Sequence, residues 1–340
     1  MTVNTGSAVP RMDLLGPILQ EGISEDSYVA HHLLPPLLVQ KRSGVIPSFL
    51  FTDNQALSIK HAPRTAFARV QAKLGEEPFN CTEAGVEESL TYEDYEILGR
   101  DYAQELTTRR LVHIVLRSRD VALASALFSA GGETLFATNL VTAGNAWNTS
   151  AGTPLNDVLQ AKRNIALRTG LPGNAMLISY DLYIDLCRNT QIQTMVRNVL
   201  GYGGGQFTQD AVANEIPTKV LAMTFGLDEI IIAPGVVNSN ASNDGTNANL
   251  TFIWPRTYAL VFRKAKNATD VREVALGRTF VYDLASEFNQ LTYMQSVDTT
   301  RAMFLEAYPE PNINADTFRC REYIDMNILF AGAGALIKST

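Results

Sequence analysis

Apolar and polar positions follow a helical period over one unusually long stretch, Thr91 to Ala130. Tyr95, Leu98, Tyr102 and Leu106, then Leu111, Ile114 and Val115, then Leu123 and Leu127 recur mostly three or four apart, the spacing that lines up side chains on one helix face. Thr91 followed by Asp94 has the form of an N-cap with an acidic partner, and Glu93 and Glu96 add the charge that a helix start favours. No proline interrupts the run, and Gly131-Gly132 supplies a stop. The pattern predicts one helix over residues 91–130, roughly 57 Å long at about 1.5 Å per residue. Ordinary globular helices run three or four turns, so a rod of this length suits a frame better than a compact catalytic fold.

Before the helix the pattern is different. Residues 1–42 hold Gly, Ser and Pro around the apolar run His31-His32-Leu33-Leu34-Pro35-Pro36-Leu37-Leu38-Val39. Paired prolines disfavour helix and central strand alike, which predicts an extended arm lying on another surface, such as a neighbouring subunit. Adjacent side chains such as His31 and His32 diverge, which argues against a metal pair. Val45-Ile46-Pro47-Ser48-Phe49-Leu50-Phe51 reads as a strand, and a basic span follows (Lys60, His61, Arg64, Arg69, Lys73). Residues 43–80 are expected to form a long β-hairpin, which needs a partner surface because an isolated hairpin is marginal in water.

After the helix, a polar loop around Trp147 precedes a compact α/β stretch. The expected elements are a helix from Pro154 to Thr169 stopped by Gly170, a buried strand Ala175–Tyr180, and one or two helices over Tyr180–Leu200. A helix or strand at Thr218–Phe225 and a strand at Glu229–Ala233 complete it. Val236–Asn249 is a polar loop. A strand Phe252–Phe262 follows, with Pro255 marking an edge or a start. Residues 266–340 return to β character at Phe280–Tyr282, Gln290–Gln295 and Phe318–Asn327, and close on a Gly-containing apolar tail, Ile328 to Lys338.

Composition narrows the function classes. The 340 residues are 46% hydrophobic and 19% charged, as for a globular chain with a sizeable core. A net charge of -7 argues against a protein that works by neutralising phosphates. No apolar window is long enough for a membrane span, and the N-terminus shows no secretory pattern. Cys81, Cys187 and Cys320 are odd in number, far apart and without metal spacing, so they read as buried free thiols.

Candidate chemistry is sparse. The run Gly201–Gly205 lacks the Lys-Ser/Thr of a phosphate-binding loop. His113 lies inside the helical pattern as a packed residue, and Arg188 next to Cys187 points away from it. The acids Glu83, Glu87, Glu88, Glu93, Asp94 and Glu96 could be a glycosidase pair or a divalent-cation site. The competing reading is a solvated acidic face that favours the helix start. Arg100, Arg109, Arg110, Arg117 and Arg119 alternate with acids and read as an ion-paired surface. No catalytic, cofactor-binding or metal-binding residue is assigned.

Several stretches, in order, resemble one family. They begin with the Pro-Pro run Leu34–Val39, Lys41, Ser43-Gly44, Ile46-Pro47, Ala62-Pro63-Arg64 and Phe79-Asn80-Cys81-Thr82-Glu83-Ala84-Gly85-Val86-Glu87. Next come Ala146-Trp147-Asn148, Asp157-Val158 and Gly170-Leu171-Pro172-Gly173-Asn174-Ala175-Met176-Leu177-Ile178-Ser179. Phe225-Gly226-Leu227-Asp228-Glu229-Ile230-Ile231-Ile232, then Phe252-Ile253-Trp254 and the tail Ala335-Leu336-Ile337-Lys338, complete the set. Over residues 28–338 the chain resembles the major capsid proteins of tailed bacteriophages, with the Hong Kong 97 type fold. Arg64 departs from the glycine usual after Ala-Pro in that family.

The resemblance implies an α+β fold with an N-terminal arm (1–42), an extended hairpin loop (43–80) and a peripheral domain (81–151) with a spine helix over 91–130. It further implies an axial domain (152–265) and a return to the peripheral domain (266–340), whose sheet the tail completes. The implied role is non-enzymatic: self-assembly as pentamers and hexamers, in the bacterial host cytoplasm, into an icosahedral virion head around double-stranded DNA. Implied partners are other copies of the chain, a portal and a decoration protein, with DNA enclosed without sequence-specific binding. No cofactor and no membrane are involved. The family's long scaffold segment is not evident before the arm, which implies a separate scaffolding protein. Two other readings stand beside this one: an encapsulin-like nanocompartment shell, and a cytoplasmic α/β enzyme using the acids near Glu87 and Glu88.

Overall fold

The computed structural model describes residues 9–10, 28–49, 74–199, 216–239, 249–267, 273–282 and 303–339. The basic span Lys60–Lys73, the glycine run Gly201–Gly205 and the strand expected at Gln290–Gln295 lie outside them.

In chain order the elements are β1 (Val9–Pro10), α1 (Ala30–Leu33), β2 (Pro36–Val39), β3 (Ser43–Phe49), β4 (Leu74–Asn80), β5 (Thr82–Thr91), α2 (Tyr92–Leu98), α3 (Arg100–Leu127), α4 (Ala130–Leu135) and β6 (Val141–Thr142). Then come α5 (Pro154–Thr169), β7 (Ala175–Ser179), α6 (Tyr180–Arg188), α7 (Thr190–Val199), α8 (Thr218–Phe225), β8 (Glu229–Ala233), β9 (Val236–Asn238), β10 (Leu250–Phe252) and β11 (Tyr258–Phe262). The chain ends with β12 (Arg278–Tyr282), β13 (Met303–Glu310), β14 (Ala315–Asn327) and β15 (Gly334–Lys338).

Two sheets organise these elements. The first runs β1-β13-β14-β12-β2, with β5 paired antiparallel along β14 from Thr82↔Ile324 to Thr91↔Ala315. The second runs β6-β15-β11-β7-β8. Its central strands are buried on both faces, and alternation divides their side chains between two cores. Met176, Ile178, Ala259, Val261, Ala335 and Ile337 face α5, α6, α7 and α8. Ala175, Leu177, Leu260, Phe262 and Leu336 face the end of α3 and Trp254.

Local chemistry explains the helix ends in this half. α5 starts with Pro154, whose missing N–H costs nothing at a first turn, and stops at Gly170 in the left-handed conformation (φ 73°). Ser179 caps α6 by accepting the Leu182 N–H at 3.1 Å. Trp147 is fully buried and donates Nε1–H to Asp157 at 2.8 Å, while Asn189 Nδ2 holds the Trp147 carbonyl at 3.1 Å. The loop expected around Trp147 is therefore pinned to the start of α5.

The single helix expected over 91–130 is broken into two, α2 and α3, with a third, α4, starting only at Ala130. The capping box forms as expected, with Thr91 Oγ1 accepting the Asp94 N–H (3.3 Å) and the Asp94 carboxylate accepting the Thr91 N–H (2.9 Å). Gly99, at φ 81° and ψ 140°, then ends α2, because that backbone angle cannot continue a right-handed helix. α3 spans 28 residues, about 42 Å. Gly131-Gly132 does not stop it; Ser129 caps a new short helix in which both glycines lie.

Burial along α3 recurs every four residues: Ala103-Gln104, Thr107-Thr108, Leu111-Val112, Val115-Leu116, Arg119-Asp120, Leu123-Ala124 and Leu127. A period of four on a helix of 3.6 residues per turn makes the buried stripe advance about 40° per repeat. Over the helix it travels roughly 240° around the axis. The first half of α3 thus packs on the first sheet, through Leu111, Val112, Val115 and Leu116 against Met303, Leu305, Phe318 and Cys320. The last turns pack on the second sheet, through Leu123, Ala124 and Leu127.

Two further expectations are corrected. Residues 28–39 are not an extended arm laid on another surface. His31-His32 lie in the helical turn α1, their rings 4.0 Å apart rather than diverging, and Tyr28, Val29, Ala30, Leu33 and Leu34 are buried in this chain's own core. Pro36 is tolerated because β2 is an edge strand, parallel to β12. The tail does not complete the first sheet. β15 lies inside the second, antiparallel to β11 from Tyr258↔Lys338 to Phe262↔Gly334 and parallel to β6, because its run Gly334 to Ile337, apolar on both faces, suits a strand covered on both sides.

Candidate functional site

Three places carry the chemistry that the fold leaves available: the acid-rich strand pair, the polar junction of α3, and the root of the β3–β4 hairpin.

The acids near Glu87 are separated by the pleat and by their partners. Glu83 and Glu87 lie on the β5 face away from α3, where Glu83 meets Arg321 (3.4 Å) and Glu87 meets Arg319 (3.0 Å) and the Tyr308 hydroxyl (3.1 Å). Arg321 also reaches Glu306, and Arg319 stacks over Tyr308 with its guanidinium 5.0 Å from the ring centroid. Glu88 points the other way and pairs with Arg110 of α3 at 2.9 Å. Asp94 is spent on the cap, which holds its carboxyl below the usual carboxylate range. Gly85 makes this ladder possible: a Cβ there would sit 2.8 Å from the Cys320 carbonyl oxygen and 2.9 Å from Arg321 Cβ. Glu83, Glu87 and Glu88 thus each have their own cation, and neither a close carboxylate pair nor an oxygen cage is formed among them. Among the described residues no group of three His, Cys, Asp or Glu side chains is placed to hold a metal ion.

The basic residues of α3 are only partly the surface pairs expected. Arg100 reaches Asp316 (3.6 Å) and Arg109 reaches Glu105 (2.7 Å), both exposed to solvent. Arg119 is buried. Its Nε donates to Glu322 of β14 at 2.7 Å and its Nη2 donates to the same oxygen, with both side chains 5% exposed. Next to it Asp120, fully buried, accepts from the Val29 N–H (3.1 Å), the Ala30 N–H (2.8 Å) and Trp254 Nε1 (3.3 Å). This junction sits where the buried stripe of α3 passes from one core to the other, and it gathers residues from α1, β14 and the segment before β11. The sequence reading missed it. The available signal was the four-residue stride, which places Arg119-Asp120 at buried positions between Val115-Leu116 and Leu123-Ala124.

Burial pushes the Asp120 carboxyl above its usual range, opposed by its three donors. The folded chain therefore holds that proton more tightly than the unfolded chain. The resulting contribution is complete below the unfolded value and is lost as pH rises through the folded one. Asp120→Asn places an amide N–H against at least one of the three N–H donors. The expected cost is about 1–3 kcal/mol, read as a lower urea midpoint, with α1 as the first segment to exchange its amide hydrogens. An unchanged midpoint would show that the three contacts hold nothing.

The three thiols are free and buried, as expected. Burial raises Cys81 to about 11, with Asp325 adding to the shift, and raises Cys320 to about 12. His113 packs against Tyr28 (Nδ1 to hydroxyl, 3.3 Å) and is lowered by burial.

The hairpin root is firmly held. The Cys81 N–H donates to the Arg42 carbonyl (2.7 Å), the Asn80 N–H to Asp325 (2.8 Å), and Asn327 Nδ2 to the Pro78 carbonyl (3.0 Å). Phe79 packs on Phe280, their centroids 4.9 Å apart, and Arg42 covers the Tyr323 ring at 4.6 Å. Beyond this root β3 and β4, among the described residues, pair only with each other, from Ser43↔Asn80 to Phe49↔Leu74, and Val45 is 56% exposed. A two-stranded ribbon of this kind lacks the third layer that would stabilise it in water.

No family model matches the chain, and no curated protein matches it. Solved structures do. A phage-related protein from Bordetella bronchiseptica aligns over 98% of this chain and 98% of its own, at 16% identity and a TM-score of 0.67. The capsid of cyanophage P-SCSP1u aligns over 94% and 90%, at 12% identity and 0.53. A holo encapsulin complex from Synechococcus elongatus aligns over 91% and 86%, at 12% identity and 0.51. At these identities the likeness shows the fold: the chain has the mixed α+β architecture of Hong Kong 97 type capsid and encapsulin shells.

Proposed function

We propose that this chain is a shell-forming subunit, the major capsid protein of a tailed bacteriophage. In this reading it assembles in the host cytoplasm as pentamers and hexamers into an icosahedral head that encloses packaged double-stranded DNA. The observation that carries the reading is the β3–β4 hairpin, anchored at its root and, among the described residues, without a third strand beyond it, on a fold shared end to end with a phage-related protein. A ribbon that needs a partner surface, repeated in every copy, is a device for multivalent association, in which weak contacts sum on closure.

The proposed division of labour assigns residues 43–80 to clasping a neighbour and 81–151, with β13 and β14, to the edge of the subunit. Residues 152–265, joined by β15, supply the loops around the symmetry axes. Further proposed partners are a separate scaffolding protein, a portal and a decoration protein. The net charge of -7 suits a wall that encloses DNA without adhering to it. Negative-stain microscopy of the purified chain, with and without a scaffolding protein, is expected to show closed shells. A monodisperse small oligomer under both conditions would overturn the reading.

The likeness to the encapsulin complex, nearly as extensive as that to the cyanophage capsid, favours a nanocompartment shell as second reading. Particles isolated from the native host separate the two: the capsid reading expects double-stranded DNA inside, the nanocompartment an enclosed enzyme.

A further inference from the structure

The β3–β4 ribbon is attached to the body differently along its two strands. The Cys81 N–H on the Arg42 carbonyl makes 42 and 81 a hydrogen-bonded pair, so alternation turns the backbone groups of Pro78 and Asn80 away from β3. β14 takes both. Asp325 accepts the Asn80 N–H (2.8 Å), and Asn327 donates to the Pro78 carbonyl (3.0 Å). The outer edge of β4 is thus fixed by directional bonds, and a ribbon fixed along one edge is free to roll about it. On the inner face the Phe79 ring lies across Gly44, where a Cβ would come 2.9 Å from it, and rests on Phe280. Ile46 packs on the same core. Apolar contacts of this kind are non-directional and set depth better than angle.

On the β3 side a directional contact comes from Arg42. This residue is exposed, yet its guanidinium sits 4.6 Å from the Tyr323 ring centroid and 5.6 Å from that of Tyr282. Both rings are buried, and they meet edge to face at 72°, which makes a corner rather than a flat platform. A guanidinium facing both rings is attracted in two directions at once. The stop matters because strands lie about 4.8 Å apart, so a roll of about 30° displaces β3 by about 2.5 Å. A gap of about 1 Å already forfeits up to half of a van der Waals contact.

We propose that Arg42 is a positioning residue for assembly: seated in the Tyr282–Tyr323 corner, its guanidinium stops the ribbon from rolling and so presents one face of it to a neighbouring copy. This rests on the shell-forming reading. The test attaches nitroxides at Val45→Cys and Ser118→Cys, both exposed positions, and measures their separation in the unassembled chain by pulsed electron resonance. The three native thiols are buried and stay unlabelled. The parent is expected to give one narrow distance, and Arg42→Ala a distribution wider by about 2–3 Å with an unchanged urea midpoint. Arg42→Lys keeps a cation for the rings and is expected to restore the narrow distance; Arg42→Gln, long but uncharged, is not. Particle yield of the unlabelled chains, read by sedimentation at equal concentration, is expected to fall about tenfold or more in Arg42→Ala and Arg42→Gln and to recover in Arg42→Lys. An unchanged distance distribution in Arg42→Ala overturns the proposal, and so does a wider one with undiminished particles. A urea midpoint lowered as far as a core substitution lowers it makes Arg42 a general support and equally overturns the positioning role. A parent chain that forms no particles overturns the shell reading instead, since the distances are read on the free chain.

Discussion

Replacing residues 47–76 by a two-residue Asn-Gly turn is expected to leave a folded chain that forms no shells. Ile46 and Glu77 are paired across the two strands, in the hydrogen-bonded alternation set by the Cys81 N–H on the Arg42 carbonyl, so a two-residue turn of the favoured type closes the shortened ribbon in register. The root contacts survive: Cys81 to Arg42, Asn80 to Asp325, and Phe79 on Phe280. Ile46, partly buried against the core, stays in place. Stability should therefore change by no more than about 0.5 kcal/mol in urea unfolding, the range of surface changes. Assembly, followed by sedimentation and microscopy, should fall from shells to free subunits. Normal particles from the shortened chain would remove the hairpin from the assembly mechanism.

Breaking the buried pair between Arg119 and Glu322 is expected to be the most damaging single substitution for folding. Glu322→Leu leaves a guanidinium in the core without its counter-charge, which costs about 3–5 kcal/mol, against a total stability of roughly 5–15 kcal/mol. The double variant Arg119→Met with Glu322→Leu should recover most of that loss, because two apolar groups leave no stranded charge. Urea unfolding of the unassembled subunit reads both, and a single-variant cost under about 1 kcal/mol would show the site to be solvated rather than buried. Burial raises the Glu322 carboxyl, with Arg119 opposing, so the folded chain binds that proton more tightly than the unfolded one. The attached stability is present below the unfolded value and lost as pH rises through the folded value. Glu322→Gln should accordingly cost more in mild acid than at neutral pH.

Elements with chemical punctuation were legible in the sequence. Pro154 and Gly170 bracket α5, and Thr91 with Asp94 opens α2, because caps and stops act within a few residues. β7 and β8 are short, apolar and bounded by turns, so burial on both faces was readable from composition. What was not legible depends on distant partners or on a single angle. An isolated glycine in a helical pattern costs only about 1 kcal/mol, so Gly99 gave no warning of the break it makes. The packing of residues 28–34 on their own chain depends on Asp120, some ninety residues away. The placement of β15 depends on a register with β11 that local pattern does not encode. The acids of β5 looked like one cluster along the chain. Strand alternation and individual arginines from β14 and α3 divide them.

The winding stripe of α3 has a mechanical consequence. A helix whose two halves are keyed into different sheets behaves as a splined shaft: twisting one sheet about the axis relative to the other would drag its side chains out of register with their holes, a core repacking rather than an elastic bend. The body of the chain is therefore torsionally stiff along α3. Compliance is left to the places where the spline is absent, the Gly99 joint and the paired strands that leave the root at Asn80.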